Sequence, residues 1–117
     1  YAGRHIARGG PLAYASTLPL QRMLQALRRR EIPAGISNHA GSFVCNHVFY
    51  VARSEVHQLG REIPCGFIHV PAMIGPQGGS PGLPLHKMVE AMECCLQVLR
   101  RSLRSKNRRR VSKSTGN

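Results

Sequence analysis

The side chains best suited to covalent chemistry in this 117-residue chain are Cys45 and His69, because of the segments that hold them. Cys45 lies in Ser37-Asn38-His39-Ala40-Gly41-Ser42-Phe43-Val44-Cys45-Asn46-His47, which reads as a strand-to-helix turn presenting a thiol. His69 lies in Gly66-Phe67-Ile68-His69-Val70-Pro71, which reads as a strand ending on an imidazole. A thiol needs a nearby base to become a good nucleophile at neutral pH, and imidazole is the side chain best matched to that task. The pair therefore points to a cysteine-hydrolase site.

The elements that must position the pair follow from patterning. Thr17 is placed to cap a helix, with Pro19 in its first turn, where proline is tolerated. Leu20, Met23, Leu24 and Leu27 recur at i, i+3, i+4 and i+7, predicting an amphipathic helix to about Arg30 that Pro33 stops. Residues 34–37 read as a short buried strand. The turn through Asn38 and Gly41 leads to a second helix over 42–53, with Val44, Val48 and Val51 on one stripe. Cys45 then sits in that helix's first turn, where open backbone N–H groups favour a thiolate and are placed to hold an oxyanion. Residues 65–70 read as a second strand with Cys65, Phe67 and His69 on one face. Pro71 ends it, leaving His69 at the carboxyl edge, where open α/β sheets place their ligand crevices. A Pro- and Gly-rich loop over 71–84 is placed to overhang the site. Leu85, Met88, Val89, Met92, Leu96, Leu99 and Leu103 predict a third helix to about 103.

The two central blocks, with Ala13-Tyr14-Ala15-Ser16-Thr17-Leu18-Pro19 upstream of them, resemble pyroglutamyl peptidase I, a family of cytosolic cysteine peptidases. The likeness runs from about Gly9 to about Leu99. It implies Cys45 as nucleophile, His69 as general base and acid, and peptides with an amino-terminal pyroglutamyl residue as substrates, with no metal or organic cofactor. It also implies a glutamate that orients the histidine, contributed by sequence upstream of Tyr1. The chain is thus expected to be the carboxy-terminal half of such an enzyme. Its expected fold class is α/β, a partial three-layer α/β/α sandwich over residues 1–103, with a basic, disordered tail over 104–117.

Composition bounds the alternatives. A hydrophobic fraction of 42% suits one globular domain. No apolar run approaches the eighteen or so residues of a membrane span, and no secretory leader pattern is seen, so a membrane is not an expected partner. The net charge of +12 is concentrated at the carboxyl end, where eight of seventeen basic residues fall in the last eighteen positions. With no interleaved aromatics, that segment reads as a solvated tail, and nucleic acid is not an expected partner. Cys45, Cys65, Cys94 and Cys95 contain no C-x-x-C pair and read as reduced thiols, which fits a cytoplasmic location. Self-association into a homo-oligomer is left open.

The site residues have plainer readings too. A cysteine at a helix start is often a small buried hydrophobe, and a strand histidine is often a satisfied core residue. His47, two residues past Cys45, faces elsewhere on a helix and reads as structural. His39, Cys45, His47 and His69 lack a carboxylate and a regular ligand spacing, so a metal site is not expected. Glu31, Glu55, Glu62, Glu90 and Glu93 offer no convincing third catalytic member. The rival to an enzyme is therefore an inactive fragment or pseudoenzyme scaffold keeping the Cys–His pair, with a basic polyanion-binding module as a weaker third.

Overall fold

The apolar spacing of residues 20–27 does form a helix, α1 (Leu20–Arg28), which buries Met23 and Leu27 and half-buries Leu20 and Leu24. The computed structural model describes residues 6–74 and 82–114, leaving aside the side chains of Arg110, Lys113 and Ser114. Within that span α1 is followed by α2 (Val44–Gln58) and α3 (Leu85–Ser114). The chain divides into two compact units. The first holds Tyr1–Leu18 and Ser37–His69, and the second holds Pro19–Ile36 and Val70–Asn117.

In the second unit α1 packs on α3. Its buried residues are Met23, Leu27 and Ile32, with Cys94, Cys95 and Val98 from α3. The stop to α1 comes before Pro33, through a left-handed turn. Glu31 has φ 55°, its N–H donates to Arg28 O, and the Ile32 N–H reaches back to Leu27 O. This six-to-one and five-to-two pairing is a Schellman motif, and its hydrophobic contact partners, Leu27 and Ile32, are both buried. Thr17 does not cap the helix: Pro19 holds that position with no side-chain bond. The Thr17 hydroxyl is engaged by Cys65 instead.

Two expectations about α3 change. The helix does not stop near 103 but runs to Ser114, so the basic segment expected to be a disordered tail is helical through that residue. Lys and Arg are good helix formers, and no Gly or Pro interrupts 85–114. The loop ahead of α3 is pinned by an isolated parallel bridge, with Leu83 N–H donating to Ala72 O at 3.1 Å and Ile74 N–H to Leu83 O at 3.2 Å. The expected overhang of this loop falls largely on residues 75–81, outside the described residues.

In the first unit the predicted apolar stripe of α2 points the other way. Val44, Val48 and Val51 are 71%, 51% and 41% exposed, whereas Tyr50 is buried at 7%. The face carrying Tyr50 wins because it takes the segment around Pro11–Ala15 through ring packing and hydrogen bonds that valines cannot make. Among the described residues no strand forms at 34–37 or 65–70. Extended backbone becomes a strand only when a neighbour supplies a ladder. Residue 65 has one such partner in Thr17, and residues 66–70 make no described backbone bond. The sheet layer expected of the sandwich is therefore not formed among the described residues.

Two outcomes follow. Glu31→Gly should raise unfolding free energy by about 0.5–1 kcal/mol in urea titration, because glycine takes the left-handed position without the penalty of a Cβ. The Cys95 thiol is pushed up by burial and, secondarily, by adjacent Cys94. The folded chain thus holds this proton more tightly than the unfolded one. That contribution to stability is complete below the ordinary thiol range and is lost as pH rises through the raised value. At pH 8, alkylation of Cys95 read by peptide mass spectrometry should be slower in the native chain than in urea.

Candidate active site

Cys45 is the second residue of α2. Phe43 stands at the cap position with φ −124°, ψ −140° and no capping side chain, and the first helical bond is His47 N–H to Phe43 O at 3.1 Å. The N–H groups of Val44, Cys45 and Asn46 therefore have no intrahelical acceptor. Phe43 and Val44 are exposed and Cys45 is half-buried, so a free thiol stands at an open helix end. The turn that delivers it is built locally. Ser37 Oγ donates to His39 O at 2.8 Å and accepts the His39 N–H at 3.3 Å. His39 Nδ1 accepts the Gly41 N–H at 3.1 Å, and Gly41 takes φ +90°, a conformation open to glycine.

The carboxyl half of α2 fixes the segment before α1. Tyr50 Oη donates to Pro11 O at 2.7 Å, and Arg53 Nε donates to Ala15 O at 2.9 Å. The Tyr14 ring meets Tyr50 edge-on at 5.0 Å, lies 6.1 Å from the His57 ring, and has the Arg53 guanidinium 5.4 Å from its centroid. Beside this clamp is a groove of about 450 Å³, whose walls include Leu12, Tyr14, Asn38, His39, Asn46 and Phe49.

From the same segment Thr17 reaches the strip that carries His69. Thr17 N–H donates to Cys65 O at 2.8 Å, Cys65 N–H donates to Thr17 Oγ1 at 2.8 Å, and Thr17 Oγ1 donates to Cys65 O at 3.2 Å. Gly66 then passes so close to Ser16 and Leu18 that a Cβ there would overlap both side chains. Beyond it the Phe67 and His69 rings lie 4.9 Å apart at 58°, as expected for residues sharing one side of extended backbone. His69 is exposed.

The structure thus places Cys45 and His69 in one compact unit, on two elements tied to the same segment of chain. It does not join them: among the described residues no hydrogen bond links Cys45 to His69, and none links a glutamate to an imidazole. Glu90 instead pairs with Lys87 at 3.0 Å, which, as the largest cause, holds its carboxyl below the usual range. His47 is half-buried with its Nδ1 enclosed and unpartnered. Among the described residues no three His, Cys, Asp or Glu side chains converge as a metal-ligand group. Sequence reasoning missed the clamp of Tyr14, Tyr50, Arg53 and His57. Its signal was present, since Tyr50, Arg53 and His57 repeat at helical spacing on one face of α2.

Comparison with known proteins gives this geometry a lineage. The sequence profile of pyroglutamyl peptidase matches residues 1–102. The chain belongs to the pyroglutamyl peptidase family. It is 40% identical over 95 residues to a pyrrolidone-carboxylate peptidase of Pectobacterium carotovorum, covering 79% of this chain and 44% of that one. To a pyrrolidone-carboxylate peptidase of Ralstonia nicotianae it is 44% identical over 79 residues, covering 68% and 37%. The crystal structure of pyrrolidone carboxyl peptidase from Pyrococcus furiosus superposes with a TM-score of 0.77 at 34% identity, covering 86% and 51%. The chain spans about half the length of the curated relatives it matches, and it superposes on about half of the Pyrococcus enzyme. No helix among the described residues is long and apolar enough to cross a membrane.

Gly66→Ala tests whether the close passage matters. The new methyl must displace Leu18 or Ser16, at a cost of about 1–3 kcal/mol of stability in denaturant melts. Ile68→Ala, at an exposed residue of the same strip, should change stability by under about 1 kcal/mol.

Proposed function

We propose that this chain carries the nucleophile-bearing half of a pyroglutamyl peptidase site, and that the reaction it serves is removal of an amino-terminal pyroglutamyl residue from peptides. The observation that carries this reading is the Cys45 thiol at the uncapped amino end of α2, within the span that matches the family. Placement in a partial three-layer α/β/α sandwich, completed by a sheet beyond the ladder contacts described above, belongs to the same reading.

His69 takes the thiol proton as Cys45 Sγ attacks the pyroglutamyl carbonyl, forming a C–S bond and an oxyanion. The free N–H groups of the first turn of α2 are the donors at hand for that charge. Collapse breaks the peptide C–N bond as His69 gives a proton to the leaving amine. His69 then takes a proton from water, whose oxygen adds to the thioester; the C–S bond breaks, pyroglutamate is freed, and His69 returns the proton to Cys45 Sγ. The exposure of His69 and its lack of a bonded carboxylate leave the imidazole unoriented among the described residues. An orienting acid fixes the tautomer and stabilises the cation, so the chain by itself is the weaker form of the catalyst.

That same observation favours the second reading, a scaffold that keeps the pair without turnover. Hydrolysis of a fluorogenic pyroglutamyl amide by the purified chain separates them. Turnover that falls at least about 10³-fold in both Cys45→Ala and His69→Ala is expected of the peptidase. A folded chain with no turnover above the Cys45→Ala background would leave the scaffold.

A further inference from the structure

The carboxyl end of α3 carries a charge pattern that the peptidase reading does not use. At 3.6 residues per turn, Arg100, Arg101, Arg104 and Arg108 fall within an arc of about 100° on the helix. Gln97 lies in the same arc, and its Oε1 accepts a hydrogen bond from Arg30 Nη2 at 3.2 Å, which brings an arginine from the turn after α1 to the head of the row. All five arginines are exposed. Among the described residues Lys87 and Glu90 form an ion pair, and no acidic residue follows Glu93 in sequence. The row from Gln97 to Arg108 is about 16 Å long. The family match ends at residue 102, before Arg104 and Arg108.

We infer that this arginine face is a docking surface for the phosphate backbone of B-form duplex DNA. The expectation of a solvated tail rested on an unstructured segment, whereas the helical backbone through Ser114 spaces these charges along one row. Guanidinium groups bind phosphate oxygens in a fixed fork, so arginine rather than lysine along the row suits phosphate. A helix with its side chains is about 10–12 Å across and the B-form major groove is about 12 Å wide, so one helix can meet both walls. Arg109, exposed on another side of the helix, supplies charge toward a second strand. A helix lying on a membrane needs a continued apolar face with aromatic or leucine anchors. Residues 104–114 have no aromatic residue and a single aliphatic, Val111. A-form RNA has a deep, narrow major groove that does not admit a helix. Recognition here is of charge and groove width, without base reading.

The test is fluorescence anisotropy of the full chain against a labelled 20-bp DNA duplex of mixed sequence. With about six phosphates neutralised, affinity should fall about 10³-fold between 50 and 200 mM salt. Arg100→Gln/Arg101→Gln/Arg104→Gln/Arg108→Gln should abolish most of this binding and flatten the salt slope by about 3–4. Arg104→Gln/Arg108→Gln, a milder pair, should remove about half of that slope change, and circular dichroism checks that α3 persists in both. Cys45→Ala should bind like the parent, so loss of hydrolysis and loss of DNA binding are independent results. The inference is overturned by no binding at 50 mM salt, or by unchanged binding in the four-fold variant. Tighter binding to an RNA duplex of equal length, or to phosphatidylserine vesicles, than to DNA overturns it as well.

Discussion

The three hydrogen bonds between Thr17 and Cys65 are the constraint on which the first unit depends. They join chain segments 48 positions apart, so their closure fixes a long loop, and the entropy of that closure is met by three bonds made at one point. Within the first unit, the turn to Cys45 and all of α2 lie on the chain that this contact closes. The clamp on Tyr14 acts three residues upstream and fixes the other face of the same segment. Thr17 is engaged in both its parts, since its backbone and its hydroxyl each bond Cys65. The close passage at Gly66 is a corollary: once residue 65 is pinned to residue 17, residue 66 has no room for a side chain beside Leu18.

Much of this was legible in the sequence where the signal is local. The i, i+3, i+4 spacing at Leu20–Leu27 located α1, and Asn38 to Ser42 marked the turn into α2 and put Cys45 in its first turn. Period-two alternation put Phe67 and His69 on one side, where their rings meet. The failures share a physical cause, which is that they depended on partners distant in sequence. Thr17 has the right chemistry for a cap, but its hydroxyl went to a backbone that no local pattern reveals. The valines of α2 make a plausible apolar stripe, yet the face with Tyr50 and Arg53 is the one engaged, because Tyr14 and Pro11 come to meet it. Extended segments at 34–37 and 65–70 were read as strands from composition, whereas strand formation depends on neighbours that composition cannot name.

The candidate site divides the same way. Cys45 and His69 were found by residue type and by their flanking blocks, and the structure puts both in one unit. What residue type does not convey is mutual orientation. The thiol is held by a helix end with its own internal geometry, while the imidazole rides on an exposed strip anchored at one residue and leaning on one phenyl ring. The thiol is thus the more firmly placed of the two, and in the proposed reaction the histidine is the member whose position a third group would have to perfect.

The length of α3 has a consequence for motion. Among the described residues its last buried one is Val98, yet the helix continues for sixteen residues to Ser114. Beyond that point little but local hydrogen bonding and intrinsic propensity holds the backbone, and like charges along it oppose the helical state. Amide hydrogen exchange along this single element should therefore be graded, slow through Cys94 and Cys95 and approaching the rate of an isolated peptide toward the carboxyl end. One continuous helix in space is in this sense two bodies in time, with the boundary at the last turn that tertiary packing reaches.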